Sequence, residues 1–253
     1  MALELTVLGS SGSHTGPGRA CAGHLLANDG TRVMLDAGNG ATANLQRHMD
    51  FADLDAVVVS HRHVDHCIDL VGMFYLLKFH PDGPQQVDLY TAPGVVDLLT
   101  GLLSGDSKMQ FREVFRVHDI APGDRFEVGG MDVELFPSIH PVPTLSARIE
   151  VGDTVFAYSA DSAGGDDLVA CARDADLFLC EATWQGDPAG LPDGIHLTAT
   201  EAGRIAGQAG ADRLVLTHLL GTLDRDRSLE EAAATFPGSD VSLADDNLTW
   251  TVA

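Results

Sequence analysis

The chain has 253 residues, with 15 Lys and Arg against 37 Asp and Glu, a formal net charge of −22. That balance argues against nonspecific binding to a polyanion, which needs a basic footprint. With 45% hydrophobic residues it can bury a sizeable core, while the lack of any apolar run of about 18 residues argues against a membrane-spanning helix.

From the amino end, Met1 to Leu8 runs straight into an apolar segment with no basic start and no cleavage-like site, so no signal peptide is expected. Strands are predicted over Leu3 to Leu8, His24 to Ala27 and Thr31 to Asp36. The loop Gly9 to Gly18 is rich in glycine but lacks the Gly-Lys-Ser/Thr ending of a nucleotide P-loop, and no Gly-x-Gly-x-x-Gly opens a helix. It follows the first strand and can line an active-site mouth. His14 within it reads equally as a substrate contact or a plain surface histidine.

A helix from Ala41 to Met49 follows Gly38-Asn39-Gly40. Ala56 to Ser60 then reads as a buried strand. Directly after it come His61, Arg62, His63, Val64, Asp65 and His66. Three imidazoles and a carboxylate thus crowd the point where a strand ends and a helix begins, which is where many α/β proteins place their chemistry. Neutral imidazole and ionised carboxylate are ligands for zinc and similar divalent ions. Side chains of neighbouring residues at a turn point different ways, so two adjacent ions are expected rather than one.

Cys67 to Phe79 is predicted helical, with Met73, Phe74, Leu76, Leu77 and Phe79 nearly encircling it. Such a helix is either buried all round or covered by a partner. Core packing is the default, and a homodimer contact is the alternative. Strand Val87 to Thr91 and helix Pro93 to Ser104 follow, then a β-rich stretch from Arg125 to Tyr158. Helices near Asp166 to Arg173, Ala199 to Ala209 and Leu229 to Phe236 alternate with strands Leu177 to Cys180 and Arg213 to Thr217. The tail Val241 to Val252 reads as a closing hairpin. The cysteines, Cys21, Cys67, Cys171 and Cys180, form no C-x-x-C pair, and the last two sit in apolar surroundings. A reducing cytoplasm fits them. Arg112 with Arg116, and Arg225 with Arg227, read as solvated pairs rather than phosphate clamps.

The run His-x-His-x-Asp-His at 61–66 resembles the signature of the metallo-β-lactamase superfamily. The resemblance implies an α/β fold, a four-layer αββα sandwich with one or two metals at the mouth between its sheets. It implies further ligands at strand ends, and the chain supplies them: His140 after Asp132 to Phe136, Asp161 after Phe156 to Ala160, and His218 after Leu214 to Thr217. The implied assignment is His61, His63 and His140 on one metal, Asp65, His66 and His218 on the other, and Asp161 between them. Ligands lie in both halves, so residues 1–253 are read as a single hydrolase domain. Zinc is the leading occupant, and manganese and iron accept the same donors. Many relatives have Gly before the bridging Asp; Ala160 is expected to keep an ordinary backbone there without loss of ligation. Asp36 matches a buried Asp of the family that orients the ligand loop, its other reading being a turn-forming Asp.

His196-Leu197-Thr198 resembles the His-x-Thr element of the superfamily's phosphodiesterase branch, which includes the transfer-RNA 3′-processing endonucleases. It implies that His196 protonates the leaving oxygen, with Thr198 capping the helix that follows. Glu181, in Glu181-Ala182-Thr183, resembles the element that orients this acid, and Asp65 would hold or accept the proton of the nucleophile. The transfer-RNA nucleases insert a flexible arm between the third histidine and the bridging Asp. Here only 20 residues separate His140 from Asp161, reading as two short strands joined by Val151-Gly152-Asp153. The chain as a whole is similar to the atypical class II cyclic-nucleotide phosphodiesterases of mycobacteria, through Leu8 to Ser13, Leu45 to His48, Phe178 to Ala182 and Thr200 to Gly203. The expectation is a binuclear-metal phosphodiesterase acting on a small phosphodiester, cyclic AMP first, with no membrane partner and with nucleic acid disfavoured but left open. The alternatives are a transfer-RNA 3′ endonuclease, a lactone or thioester hydrolase, and a non-catalytic scaffold. His196 and Glu181 speak against the lactone or thioester hydrolase, and the complete ligand set against the scaffold.

Overall fold

The computed structural model describes residues 2–253. Strands β1 (Glu4–Gly9), β2 (Gly23–Asn28), β3 (Thr31–Leu35), β4 (Ala56–Val59), β5 (Val87–Thr91) and β6 (Phe115–Asp119) lie side by side in that order in one sheet. Pairing is antiparallel from β1 to β3 and parallel from β3 to β6. The second sheet runs in the same way: β7 (Arg125–Val128), β8 (Met131–Pro137), β9 (Leu145–Val151) and β10 (Thr154–Tyr158) are antiparallel, and β11 (Leu177–Glu181), β12 (Arg213–Thr217) and β13 (Asp240–Leu243) continue parallel to β10.

Alternation of side chains explains the layers. Along β3 and β4, Val33, Leu35, Ala56 and Val58 face the other sheet, while Met34, Val57 and Val59 face helices. Along β10 to β12, Phe156, Tyr158, Leu177, Leu179 and Val215 face inward, and Ala157, Phe178, Cys180, Leu214 and Leu216 face outward. Both faces of these central strands are apolar, so both must be covered. Helices α1 (Ala41–Leu45), α2 (Val64–Cys67), α3 (Leu70–Lys78), α4 (Val95–Gly101) and α5 (Gly105–Val114) follow strands of the first sheet; α6 (Asp166–Cys171), α7 (Ala199–Ala209) and α8 (Arg225–Ala233) cover the second. The result is the expected αββα sandwich. No helix among the described residues is long and apolar enough to cross a membrane.

The structure departs from expectation at several elements. The tail is not a hairpin: β13 pairs with β12, and β14 (Thr249–Thr251) crosses to pair with β1 in the other sheet. Asp246 anchors the connection between them. Its carboxylate accepts from the backbone N–H of Ser10 and Ala20, the Ser10 hydroxyl and the Asn44 amide. The helix expected from Cys67 to Phe79 is α3, which begins only at Leu70; Cys67 instead ends the short α2 that carries two of the expected ligands. Asp69 before α3 turns its carboxylate away to the Gly40 and Thr42 amides and the Thr42 hydroxyl. Nor is α3 apolar in use all round. Leu70, Met73, Phe74 and Leu77 are buried at helical spacing, whereas Tyr75 and Phe79 are exposed.

The geometry of a candidate metal centre

The expected ligands all sit just past the carboxyl ends of strands, at one rim of the sandwich. His61, His63, Asp65 and His66 follow β4, with the last two on α2; His140 follows β8, Asp161 follows β10, and His218 follows β12. Their donor atoms fall into two adjoining groups. In the first, His61 Nε2 and His140 Nε2 each lie 3.1 Å from His63 Nδ1, and 3.5 Å and 3.7 Å from Asp161 Oδ2. In the second, His66 Nε2 lies 3.2 Å from His218 Nε2, and these two lie 3.7 Å and 3.3 Å from Asp65 Oδ2. Asp161 Oδ1 completes it, 3.0 Å from His66 Nε2 and 3.3 Å from His218 Nε2. Asp161 therefore offers one oxygen to each group.

These spacings fit divalent ions. A tetrahedron of donors about 2.0–2.1 Å from zinc has edges of roughly 3.3 Å. Asp161 Oδ1 is buried yet accepts no hydrogen bond, a costly state for a carboxylate oxygen unless a cation completes it.

The far ring nitrogens are held so that the inward ones stay free as ligands. Asp36 Oδ2 accepts from His66 Nδ1 at 2.8 Å, the Ser60 hydroxyl at 2.8 Å and the Tyr158 hydroxyl at 2.7 Å, while Asp36 Oδ1 accepts from the Ser60 N–H. The Ser60 hydroxyl hydrogen is thus committed, so His61 Nδ1, 3.0 Å away, must be its donor. His140 Nδ1 donates to the Ile195 carbonyl at 2.9 Å. The Thr183 hydroxyl donates to Glu181 Oε2, so His218 Nδ1, 2.8 Å from it, donates in turn. Burial alone would raise the Asp36 carboxyl, but the His66 and His61 rings and the Ser60 amide hold it below the usual carboxylate range. Burial pushes His140 down to about 4, so its ring is neutral and ready to ligate.

His196 stands beside this pair, its Nδ1 4.0 Å from Asp161 Oδ2 and 2.9 Å from Glu181 Oε1. Glu181 is fully buried at the end of β11 and also accepts from the N–H groups of Ser162, Thr183 and Leu197. Burial would lower the His196 pKa, and Glu181 outweighs it and raises it. Thr198 is the N-cap of α7 in a reciprocal capping box with Glu201, which fixes the loop carrying His196. On the opposite wall the Ser13 N–H donates to Asp65 Oδ2 at 2.9 Å. The ring of His14, next to it, bonds only the Thr15 carbonyl among the described residues, and the residue is exposed.

Three residues at strand ends around the site take left-handed backbone: Asp36 at φ 58°, Ala160 at φ 50° and His218 at φ 57°. Ala160 thus lacks the ordinary backbone expected of it. The turn after β10 demands a positive φ, and the methyl is accommodated at some strain while Asp161 still reaches both donor groups. Ser60, Tyr158 and Thr183 escape sequence reasoning. Tyr158 reads as a core aromatic on an alternating strand, and Thr183 was visible only as the last letter of Glu-Ala-Thr.

Comparison with known proteins agrees with this geometry. The model of the beta-lactamase superfamily domain matches residues 31–219. The chain is 37% identical over 243 residues to Rv1339, an uncharacterized protein of Mycobacterium tuberculosis, spanning 94% of this chain and 88% of that one. It is 30% identical over 302 aligned positions to a ribonuclease Z of Thermobifida fusca, spanning 96% and 92% of the two. The metallo-beta-lactamase fold protein YhfI of Bacillus subtilis superposes with a TM-score of 0.87 at 26% identity, covering 99% of this chain and 100% of YhfI. On this evidence the chain belongs to the beta-lactamase superfamily, as a metal-dependent hydrolase.

Proposed function

We propose that residues 1–253 form one hydrolase domain that cleaves a small phosphodiester, with a cyclic nucleotide, cyclic AMP first, as substrate. The observation that carries this reading is His196, held on buried Glu181 and facing the bridging carboxylate of Asp161. Hydrolysis of an activated ester needs no such group; a poor alkoxide leaving group does. His61, His63, His140 and Asp161 would hold one divalent ion, and Asp65, His66, His218 and Asp161 the other. When bound, such a pair supplies Lewis acidity toward a phosphoryl group and a nucleophile drawn from water; zinc leads, and manganese and iron suit the same donors.

The protein's own groups do the rest. Asp65 faces the second donor group and is steadied by the Ser13 amide, a position suited to hold the proton of the attacking water. His196 donates from its ring to the departing oxygen, and Glu181 keeps the ring oriented and offsets its charge. Thr183 ties Glu181 to His218, so the acid and the ligand set share one support.

A small substrate suits the connection between His140 and Asp161. The strands β9 and β10 are joined by a tight turn with Gly152 at φ 60°, which leaves no room for an inserted arm. The paired arginines favour the same reading: Arg116 is bound to Asp88, Arg225 to Asp245 and Arg227 to Glu231, so these cations already have partners. Four free, buried cysteines suit a reducing, cytoplasmic setting. Exposed Tyr75 on α3 and Phe79 just past its end leave self-association as part of the proposal, and sedimentation tests it.

Purified protein loaded with zinc or manganese is expected to hydrolyse bis(p-nitrophenyl) phosphate and cyclic AMP. No turnover with either metal rejects the reaction class. A second reading, cleavage at the 3′ end of precursor transfer RNA, is favoured by the identity to a ribonuclease Z. Clean cleavage of a precursor transcript, without attack on cyclic nucleotides, would put it first.

A further inference from the structure

An open cleft of about 670 Å³ runs from the donors His63 and Asp65 toward α4. Its volume is that of a small-molecule site. The remaining walls are mixed. Val64, Leu98 and Val142 present apolar surface, and Val64 is 53% exposed although it lies between two expected ligands. Arg62 and Asp97 supply one cation and one anion.

Arg116, Arg125, Arg148, Arg225 and Arg227 each pair with a carboxylate, and Arg62 does not among the described residues. Its side chain runs over Gly94, where an added methyl would stand 3.1 Å from Arg62 Cδ and 3.6 Å from Nη1. Gly94 has a φ of 87°, which other residues avoid, so the backbone under the guanidinium is bare for a conformational reason. In a chain of net charge −22, an unpaired guanidinium at the edge of the candidate metal centre is suited to an anionic or aromatic ligand.

We propose that this cleft is the subsite for the nucleoside part of the phosphodiester, with the base between the Arg62 guanidinium and the apolar walls and Asp97 accepting from a ligand N–H or O–H. The inference rests on the phosphodiesterase reading above. A planar guanidinium stacks on aromatic faces, which a lysine ammonium does not reproduce. A phosphate held near His63 and Asp65 would lie at one end of this cleft, so its organic substituent can extend past Arg62, which is what would make Arg62 a specificity residue.

The test is calorimetric binding of adenosine 5′-monophosphate and of inorganic phosphate to the zinc-loaded protein. The parent is expected to prefer the nucleotide by about tenfold or more. Arg62→Ala and Arg62→Lys should both remove most of that preference, and Leu98→Ala should reduce it about threefold. Equal affinity of the parent for both ligands, or a preference unchanged in Arg62→Ala, overturns the proposal. So does a preference fully kept in Arg62→Lys, which would leave charge alone as the cause. Turnover of bis(p-nitrophenyl) phosphate, measured in parallel, separates the two readings: its loss in the parent rejects the phosphodiesterase, and its presence without nucleotide preference rejects only the cleft.

Discussion

At the scale of single residues, the site depends on which group holds each proton. Glu181 accepts four hydrogen-bond donors besides the His196 ring, so the oxygens of this fully buried side chain are satisfied. Replacing His196 by Ala should lower kcat for cyclic AMP by about 10²–10⁴, with metal content unchanged by elemental analysis. The loss should be much smaller for bis(p-nitrophenyl) phosphate, whose nitrophenolate leaves without a proton. Equal losses on both substrates would remove His196 from the role of acid. Asp36 makes a different prediction because it touches no substrate. Asn in its place cannot accept from His66, Ser60 and Tyr158 together through one oxygen without leaving its own N–H₂ against donors. Metal affinity should fall about 10–100-fold in competition with a chelator, while a protein saturated with zinc recovers most of its kcat.

At the scale of elements, the end of each strand is where geometry and strain meet. The ligand positions were legible because imidazole and carboxylate in a tight run admit few other uses, and each downstream ligand follows an apolar strand. The αββα layers followed from the resemblance, and the apolar alternation agrees with it. The strands and helices that sequence missed are those that bury little. Helix α5 buries only Ser107, Phe111 and Val114, and β6, at the sheet edge, buries only Phe115. The misread tail has a different cause, since no local pattern reveals that Asp246 binds groups more than two hundred residues away in sequence. Asp246→Ala should therefore destabilise more than a surface change does. It strips acceptors from the Ser10 and Ala20 amides, at about 1–3 kcal/mol for each group left unsatisfied, and a urea transition reads this directly. It should also weaken metal binding, because the freed loop carries Ser13, whose amide steadies Asp65.

Over the whole molecule, the two sheets repeat one plan: an antiparallel meander followed by parallel strands. Asp36 follows the last meander strand of the first sheet and Asp161 that of the second, each at or just after a left-handed residue. One became the support for a ligand and the other the expected bridge. Because the donors come from both sheets, ions at this rim would fasten the two halves together, and stability must then depend on free metal. A ligand that binds only the folded state adds about 2.7 kcal/mol at a hundredfold excess over its Kd. For a chain of this size that is a rise of roughly 5–10 °C in Tm per site. Chelation should lower Tm by about that amount or more, and titrating zinc back should restore it in proportion to the logarithm of free metal. His218→Ala should reduce the restored increment by abolishing one of the two donor groups while leaving His61, His63 and His140 intact. A Tm indifferent to both chelator and zinc would mean that no ion bridges the sheets, and the reading of the rim as a catalytic metal pair would fall with it.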